Sequence, residues 1–243
     1  MRKKISIFVL IFSISVALGI FFTYELLFAD NIKDHNTRKE HVLFIHTGSN
    51  YNDVIRALKK QKLIKNMETF KIVSKRLKYD QHIMPGRYVI SNNTGNLFLI
   101  RKLYSGSQTP VKITFNNIQD KEHFAEKIST QIEATKDELV NEFNNPTLLD
   151  SLKLTEENFP TIFLANTYEF YWNTTAKEFV ARMLKEYTKF WNDSRREKAT
   201  ELGLSPTEVI ILASIIQKES TKYDEYPTIA GVYLNRLKIG MPL

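Results

Sequence analysis

Glu219 closes the run Val209-Ile210-Ile211-Leu212-Ala213-Ser214-Ile215-Ile216-Gln217-Lys218-Glu219. It follows Ile215 by four residues and Ile216 by three, so on a helix its carboxyl shares their stripe. Such a helix is apolar on nearly every side, which predicts an interior position. Apolar surroundings disfavour the charged form of a carboxyl, and the negative end of the helix dipole near Ser220 acts in the same direction. A carboxyl that keeps its proton near neutral pH is what general-acid catalysis requires. Gln217 has no titratable proton and Lys218 is ordinarily already charged, so within this triplet only Glu219 can deliver one. The plainer alternative is that Glu219 pairs with Lys218, Lys222 or another cation at a solvated helix end.

Other chemistries have little support. The 243-residue chain contains no Cys, which removes thiol nucleophiles and Cys-ligated metals. Its His residues, His35, His41, His46, His82 and His123, show no paired ligand spacing, so neither a metal nor an organic cofactor is expected. The net charge is +7, and three of those positive charges are Arg2, Lys3 and Lys4. What remains is too mild for a nucleic-acid binder. A hydrophobic fraction of 43% with 25% charged residues is ordinary for globular chains and excludes wholesale disorder.

The elements that must hold Glu219 have readable ends. Ser205-Pro206-Thr207-Glu208 supplies an N-cap, a proline at the first helical position and an acid at the third, a capping box that opens the Glu219 helix. Thr175-Ala176-Lys177-Glu178 opens an earlier helix, expected to run as one long element to Leu202-Gly203. Further upstream, Val111–Phe115 alternates as a strand, and helices are expected around Phe124–Ile132 and Asp137–Phe143. Phe163, Tyr168, Phe170, Tyr171 and Trp172 fall within ten residues, and core packing is the expected role for most of them.

The first half divides into an anchor, a linker and a small module. Ile5 to Tyr24 gives 20 uncharged positions, about 30 Å of helix, enough to span a bilayer. Arg2-Lys3-Lys4 precede it, which places the N-terminus in the cytoplasm and the remainder across the membrane. A cleaved signal peptide fits less well, because the apolar run is long and Leu27-Phe28-Ala29 is a poor cleavage site. The polar stretch from Asp30 to His41 reads as a stalk. Val42–His46 then reads as a strand, Ser49 or Asn50 as the cap of a helix holding Val54, Ile55, Leu58 and Leu63, and Phe70, Ile72, Val73 and Leu77 as a second helix. Met84-Pro85-Gly86 breaks the chain before the strand Arg87–Ile90, giving the order strand, helix, helix, strand.

The segment Leu212–Ser220, with Ile229-Ala230-Gly231-Val232-Tyr233-Leu234-Asn235-Arg236-Leu237 and the sequel to Leu243, resembles the endolytic murein transglycosylase, or YceG-like, family. Asn166-Thr167-Tyr168-Glu169-Phe170 also resembles a family signature, and Val42–Ile90 resembles a LysM-like module. The resemblance implies an enzyme that cuts peptidoglycan glycan strands internally, between N-acetylmuramic acid and N-acetylglucosamine, leaving a 1,6-anhydro end. It puts the catalytic acid on Glu219 and suggests Tyr168, Glu169, Asn235 and Arg236 as substrate-binding positions. Many members carry Glu where this chain has Gln217. Capping or charge pairing is the alternative role of Asn235 and Arg236.

The whole is therefore expected to be α+β, in five parts. Residues 1–4 are cytoplasmic, 5–28 a transmembrane anchor, 29–41 a linker, 42–108 a LysM-like module, and 109–243 a mixed, mainly helical catalytic domain. The resemblance also implies that this domain continues beyond Leu243, so the sequence reads as a fragment. Expected partners are the glycan strands, the cell membrane crossed once, and cell-wall synthases, but no nucleic acid. The competing function is a noncatalytic peptidoglycan-binding or scaffold protein, which would bind strands without making new ends.

Overall fold

The computed structural model describes residues 2–33, 40–116, 118 and 120–241. Asp34–Lys39 of the expected linker, and Pro242 and Leu243 of the expected catalytic domain, lie outside the described residues. The chain forms an α+β structure, mainly helical, that divides into two compact units. The first comprises Met1–Lys112 with Gln131–Glu133 and Glu169–Thr174, and the second takes Ile113–Thr130, Ala134–Tyr168 and Thr175–Leu243.

The first unit begins with α1 (Arg2–Phe28). Its segment Ile7–Phe28 is 22 residues long, about 33 Å at the helical rise, and apolar enough to cross a bilayer. Those apolar side chains are exposed along the helix. After β1 (Glu40–Ile45), the helices α2 (Tyr51–Lys60) and α3 (Met67–Arg76) lead to β2 (Gly86–Ser91) and α4 (Asn96–Tyr104). This is the strand, helix, helix, strand order that the sequence predicts, with one further helix. β1 and β2 pair antiparallel, Leu43 opposite Tyr88 and His41 opposite Ile90, so alternate residues enter one core with Val54, Leu58, Phe70 and Ile100. Asn50 is the cap of α2, accepting from the Asn52 and Asp53 amides while Asp53 accepts from the Asn50 amide.

The expected linker starts later than its composition suggests. Ile32 is fully buried, Asp30 bridges Gly95 and Ile32 bridges Ile64, so residues 30–33 are docked on the module. Polar composition was misleading because Asn31 spends its amide internally: it donates to Asn66 O at 2.9 Å and Asn96 Oδ1 at 2.7 Å, and accepts from Asn66 N at 2.7 Å.

β3 (Val111–Phe115) passes from the first unit into the second at Ile113 and leads to α5 (Lys121–Ser129), α6 (Lys136–Phe143) and α7 (Pro146–Leu152). β4 (Asn166–Phe170) follows and forms a two-stranded sheet with β3. The core is built from rings: Phe163 lies 4.9 Å from Phe124, 5.2 Å from Phe143 and 6.1 Å from Phe179 between centroids. Such pairs each contribute about 0.5–1.5 kcal/mol beyond the area they bury.

The expected long helix is two. α8 (Ala176–Phe190) stops at Trp191, and α9 (Asp193–Glu201) restarts with Asn192 as its cap. The break is stable because Trp191 is buried and the freed carbonyls are claimed by arginines, Arg195 Nη1 donating to Phe190 O and Arg196 Nε to Trp191 O, both at 2.8 Å. The last two helices, α10 (Pro206–Glu219) and α11 (Tyr226–Lys238), pack on each other.

Candidate active site

The capping box that opens α10 is formed as its residue types require. Ser205 N donates to Glu208 Oε2 at 2.7 Å and Glu208 N donates to Ser205 Oγ at 3.3 Å. The amide of Ser205 holds the Glu208 carboxyl below the usual carboxylate range. Fourteen residues of helix then carry the chain to Glu219, the last residue of α10.

Only Leu212 and Ile216 of α10 are buried, and Glu219 is exposed. This corrects the expectation that the apolar helix runs through the interior and buries Glu219. Within the described residues the helix packs on one stripe, and Ile211 and Ile215 on its other sides are exposed or half-buried. Hydropathy alone cannot say which neighbours cover a helix. The plainer reading holds for the solvated helix end but not for pairing with Lys222. Lys222 is taken by Glu225, Nζ to Oε1 at 3.2 Å, and among the described residues Glu219 forms no ion pair.

What approaches Glu219 is a phenol. After α10 the turn is clipped by Ser220 Oγ donating to Glu225 Oε2 at 2.6 Å and by Lys222 N donating to Ser220 Oγ at 3.0 Å. The chain then reverses into α11, which brings Tyr233 Oη to 2.9 Å from Glu219 Oε1 as a donor. That bond, more than desolvation, pushes the Tyr233 phenol above its ordinary value, since losing the proton would oppose two anions. The Arg236 guanidinium sits 5.7 Å from the Tyr233 ring centroid, one turn further along the same face, and opposes the rise. Glu219, Tyr233 and Arg236 are thus one cluster on two helices.

α10 and α11 also frame a cleft of about 490 Å³, lined by Ala213, Ile216 and Gln217 from α10 and by Tyr223, Tyr226 and Ala230. Tyr223 is 81% exposed, with its ring 5.1 Å from that of Tyr226. Rings presented this way can stack on the apolar faces of sugars. Gln217 lines this cleft, whereas Glu219 is outside the lining.

The remaining sequence candidates are placed unevenly. Asn235 is exposed on α11 beside Arg236. Tyr168 is buried, its ring stacked 5.4 Å from Phe115 and its hydroxyl donating to Leu164 O at 2.7 Å, so the structure uses it as a core residue rather than a ligand contact. Burial pushes its phenol up. Glu169 belongs to the first unit and is exposed, with Lys112 Nζ 3.8 Å away. Sequence reasoning assigned no role to Tyr233, Tyr223 or Tyr226. The pair at 223 and 226, three apart around the entry to a proline-led helix, was a usable signal; the Tyr233–Glu219 contact was not, because a turn of unknown geometry separates them. Among the described residues no cluster of His, Asp and Glu is arranged to hold a metal ion.

Relatives give this geometry a context. The endolytic murein transglycosylase of Streptococcus pneumoniae serotype 2 (strain D39) is 24% identical over 276 residues, covering 99% of this chain and 48% of the relative. The protein of the same name from Bacillus subtilis (strain 168) is 24% identical over 217 residues, covering 82% of this chain and 59% of the relative. The chain thus spans about half the length of the curated relatives it matches. A crystal structure of a YceG-like protein from Listeria monocytogenes is similar with a TM-score of 0.49 and 21% identity, over 84% of this chain and 72% of that one. The sequence model of the YceG-like family matches residues 43–243, from the first strand of the module through the helices around Glu219, and on that match the chain belongs to the YceG-like family.

Proposed function

We propose that this protein is a membrane-anchored lytic transglycosylase that cuts peptidoglycan strands internally between N-acetylmuramic acid and N-acetylglucosamine, with Glu219 as the single acid and base. The observation that carries this reading is the Tyr233 Oη–Glu219 Oε1 hydrogen bond of 2.9 Å, formed between the same two helices that frame the cleft. Family membership and the names of the relatives supply the substrate class.

The chemistry balances with one carboxyl. Protonated Glu219 gives its proton to the bridging oxygen as the bond from that oxygen to muramic C1 breaks. The muramic O6 closes on C1, and its proton passes to the Glu219 carboxylate, which regenerates the acid. No water is consumed, so the second carboxyl of ordinary glycoside hydrolysis is unnecessary. Tyr233 donates to Glu219 Oε1 and so fixes the orientation of the carboxyl. Because Glu219 is exposed, the acid half depends on the bound strand excluding water from this surface. Asn235 and Arg236 are the candidates for holding the strand from α11, and Tyr223 for stacking beneath a sugar ring. α1 anchors the protein in the cell membrane, with the cytoplasm at its basic end. In that position, cutting nascent strands would end their elongation, which makes cell-wall synthases the natural partner class.

The test is digestion of isolated glycan strands by the detergent-solubilised protein, with products read by mass spectrometry. The wild type is expected to release 1,6-anhydromuramic ends and Glu219→Gln to release none while keeping its circular dichroism. Cleavage retained by the variant would remove Glu219 from the mechanism. The exposure of Glu219 favours a second reading, a noncatalytic strand-binding protein, for which the same assay would give saturable binding and no new ends with either form.

A further inference from the structure

We propose that the small unit docks on the bilayer surface through the face around Phe98, held there at fixed depth by a polar clamp at the exit of α1. The inference rests on reading α1 as a membrane anchor and goes beyond it, since an anchor on a flexible stalk would leave the unit free.

The clamp leaves no slack between helix and unit. Asn96 Nδ2 donates to Leu26 O, a carbonyl in the last turn of α1, at 2.9 Å, and to Thr69 Oγ1 at 3.1 Å. Asn31 joins the same network, and Asn31 N donates to Thr94 O at 3.2 Å. On the other side Lys33 N donates to Leu63 O and Lys65 N to Asn31 O, both at 2.8 Å, and Lys65 Nζ meets Asp30 Oδ2 at 2.6 Å. Gly95 approaches so closely that a Cβ there would stand 2.6 Å from Phe28 O. Only Ala29 lies between Phe28 and Asp30, two chain steps with a reach of at most about 7 Å. The first unit therefore begins at the depth where the apolar helix ends.

At that depth the surface has the character of an interfacial layer. The Tyr24 and Phe28 rings are 5.5 Å apart, and Phe98 on α4 stands edge-on to Phe28 at 6.2 Å. Phe98 is 59% exposed, a cost in water that the headgroup region removes. The segment beside the exit is basic: Lys33, Lys59, Lys60 and Lys62 are exposed and, among the described residues, form no ion pair. Of the acids nearby, Asp30 is paired with Lys65, Glu68 is paired with Lys71 and also attracts Lys59, and Glu25 is left against Lys33, Lys60 and Lys62. That balance fits anionic phospholipid headgroups.

Because the chain has no cysteine, single probes can be placed without background. Phe98→Cys, Ile14→Cys and Asn52→Cys, each labelled with an environment-sensitive nitrobenzoxadiazole, would be reconstituted as full chains in vesicles of phosphatidylcholine and phosphatidylglycerol. Asn52 is exposed at the start of α2, at the end of the unit where β1 finishes, and serves as the water reference. The Phe98 probe is expected to shift to the blue and to be quenched by spin labels carried near the headgroups, the Ile14 probe by labels deep in the acyl chains, and the Asn52 probe by neither. A deep Ile14 probe with a Phe98 probe as water-exposed as Asn52 would overturn the docking and leave the anchor standing. An Ile14 probe outside the hydrocarbon would overturn both.

Discussion

Glu219 is recognisable from its neighbours in sequence, yet the property first used to justify it, burial, is absent from the described structure. What it has instead is a donor from α11. Removing that donor tests whether the contact matters chemically: Tyr233→Phe should leave the fold intact and lower kcat by about 10- to 150-fold, the range set by about 1.5–3 kcal/mol for a hydrogen bond to a charged group. KM should change little if Tyr233 acts only on Glu219, and steady-state kinetics on a defined strand would read the two apart. A large rise in KM with unchanged kcat would mean that Tyr233 binds sugar instead. Glu169→Gln, in the other unit and beside Lys112, is expected to leave cleavage unchanged.

At the scale of elements, caps decided most boundaries. The boxes at Thr175 and Ser205 were legible because the N-cap and third helical residues are fixed by chemistry that acts within four positions, whereas at α2 the choice between Ser49 and Asn50 stayed open until the structure showed Asn50 paired with Asp53. The break at Trp191 was not legible: Asn192 is an ordinary capping residue inside a strongly amphipathic run, and only the buried indole and the two arginines show why the helix stops. Glu208 offers a pH test of the α10 cap. Its folded-state value is lowered, so its contribution is complete above the ordinary carboxylate range and vanishes as pH falls through the lowered value. Glu208→Ala should therefore be less stable than wild type in urea melts near neutral pH, and the two should converge in acid. The clamp gives a larger effect. Asn31→Ala strands the Asn66 amide and the Asn96 side chain, and should cost about 2 kcal/mol or more in denaturant midpoint analysis.

For the whole molecule, the proposed anchor α1 is what would set the balance between water and lipid. A lysine at its centre costs about 2.5–3.5 kcal/mol on insertion scales, so Ile14→Lys should shift the protein from the alkali-resistant membrane pellet toward the soluble fraction. An unchanged pellet would argue that α1 is not the anchor. The sequence by itself determined the length and apolarity of that helix, the strand and helix order of the module, and the capped starts of α8 and α10. Each of these is a local property, written in periodicity or in side chains that satisfy nearby amides. Only the tertiary structure decided that residues 30–33 dock rather than dangle, that Tyr168 is core, that Glu219 faces solvent and that Tyr233 reaches it. Those outcomes depend on which surfaces meet across tens of residues, and hydropathy and spacing carry no information about the partner on the far side of a contact.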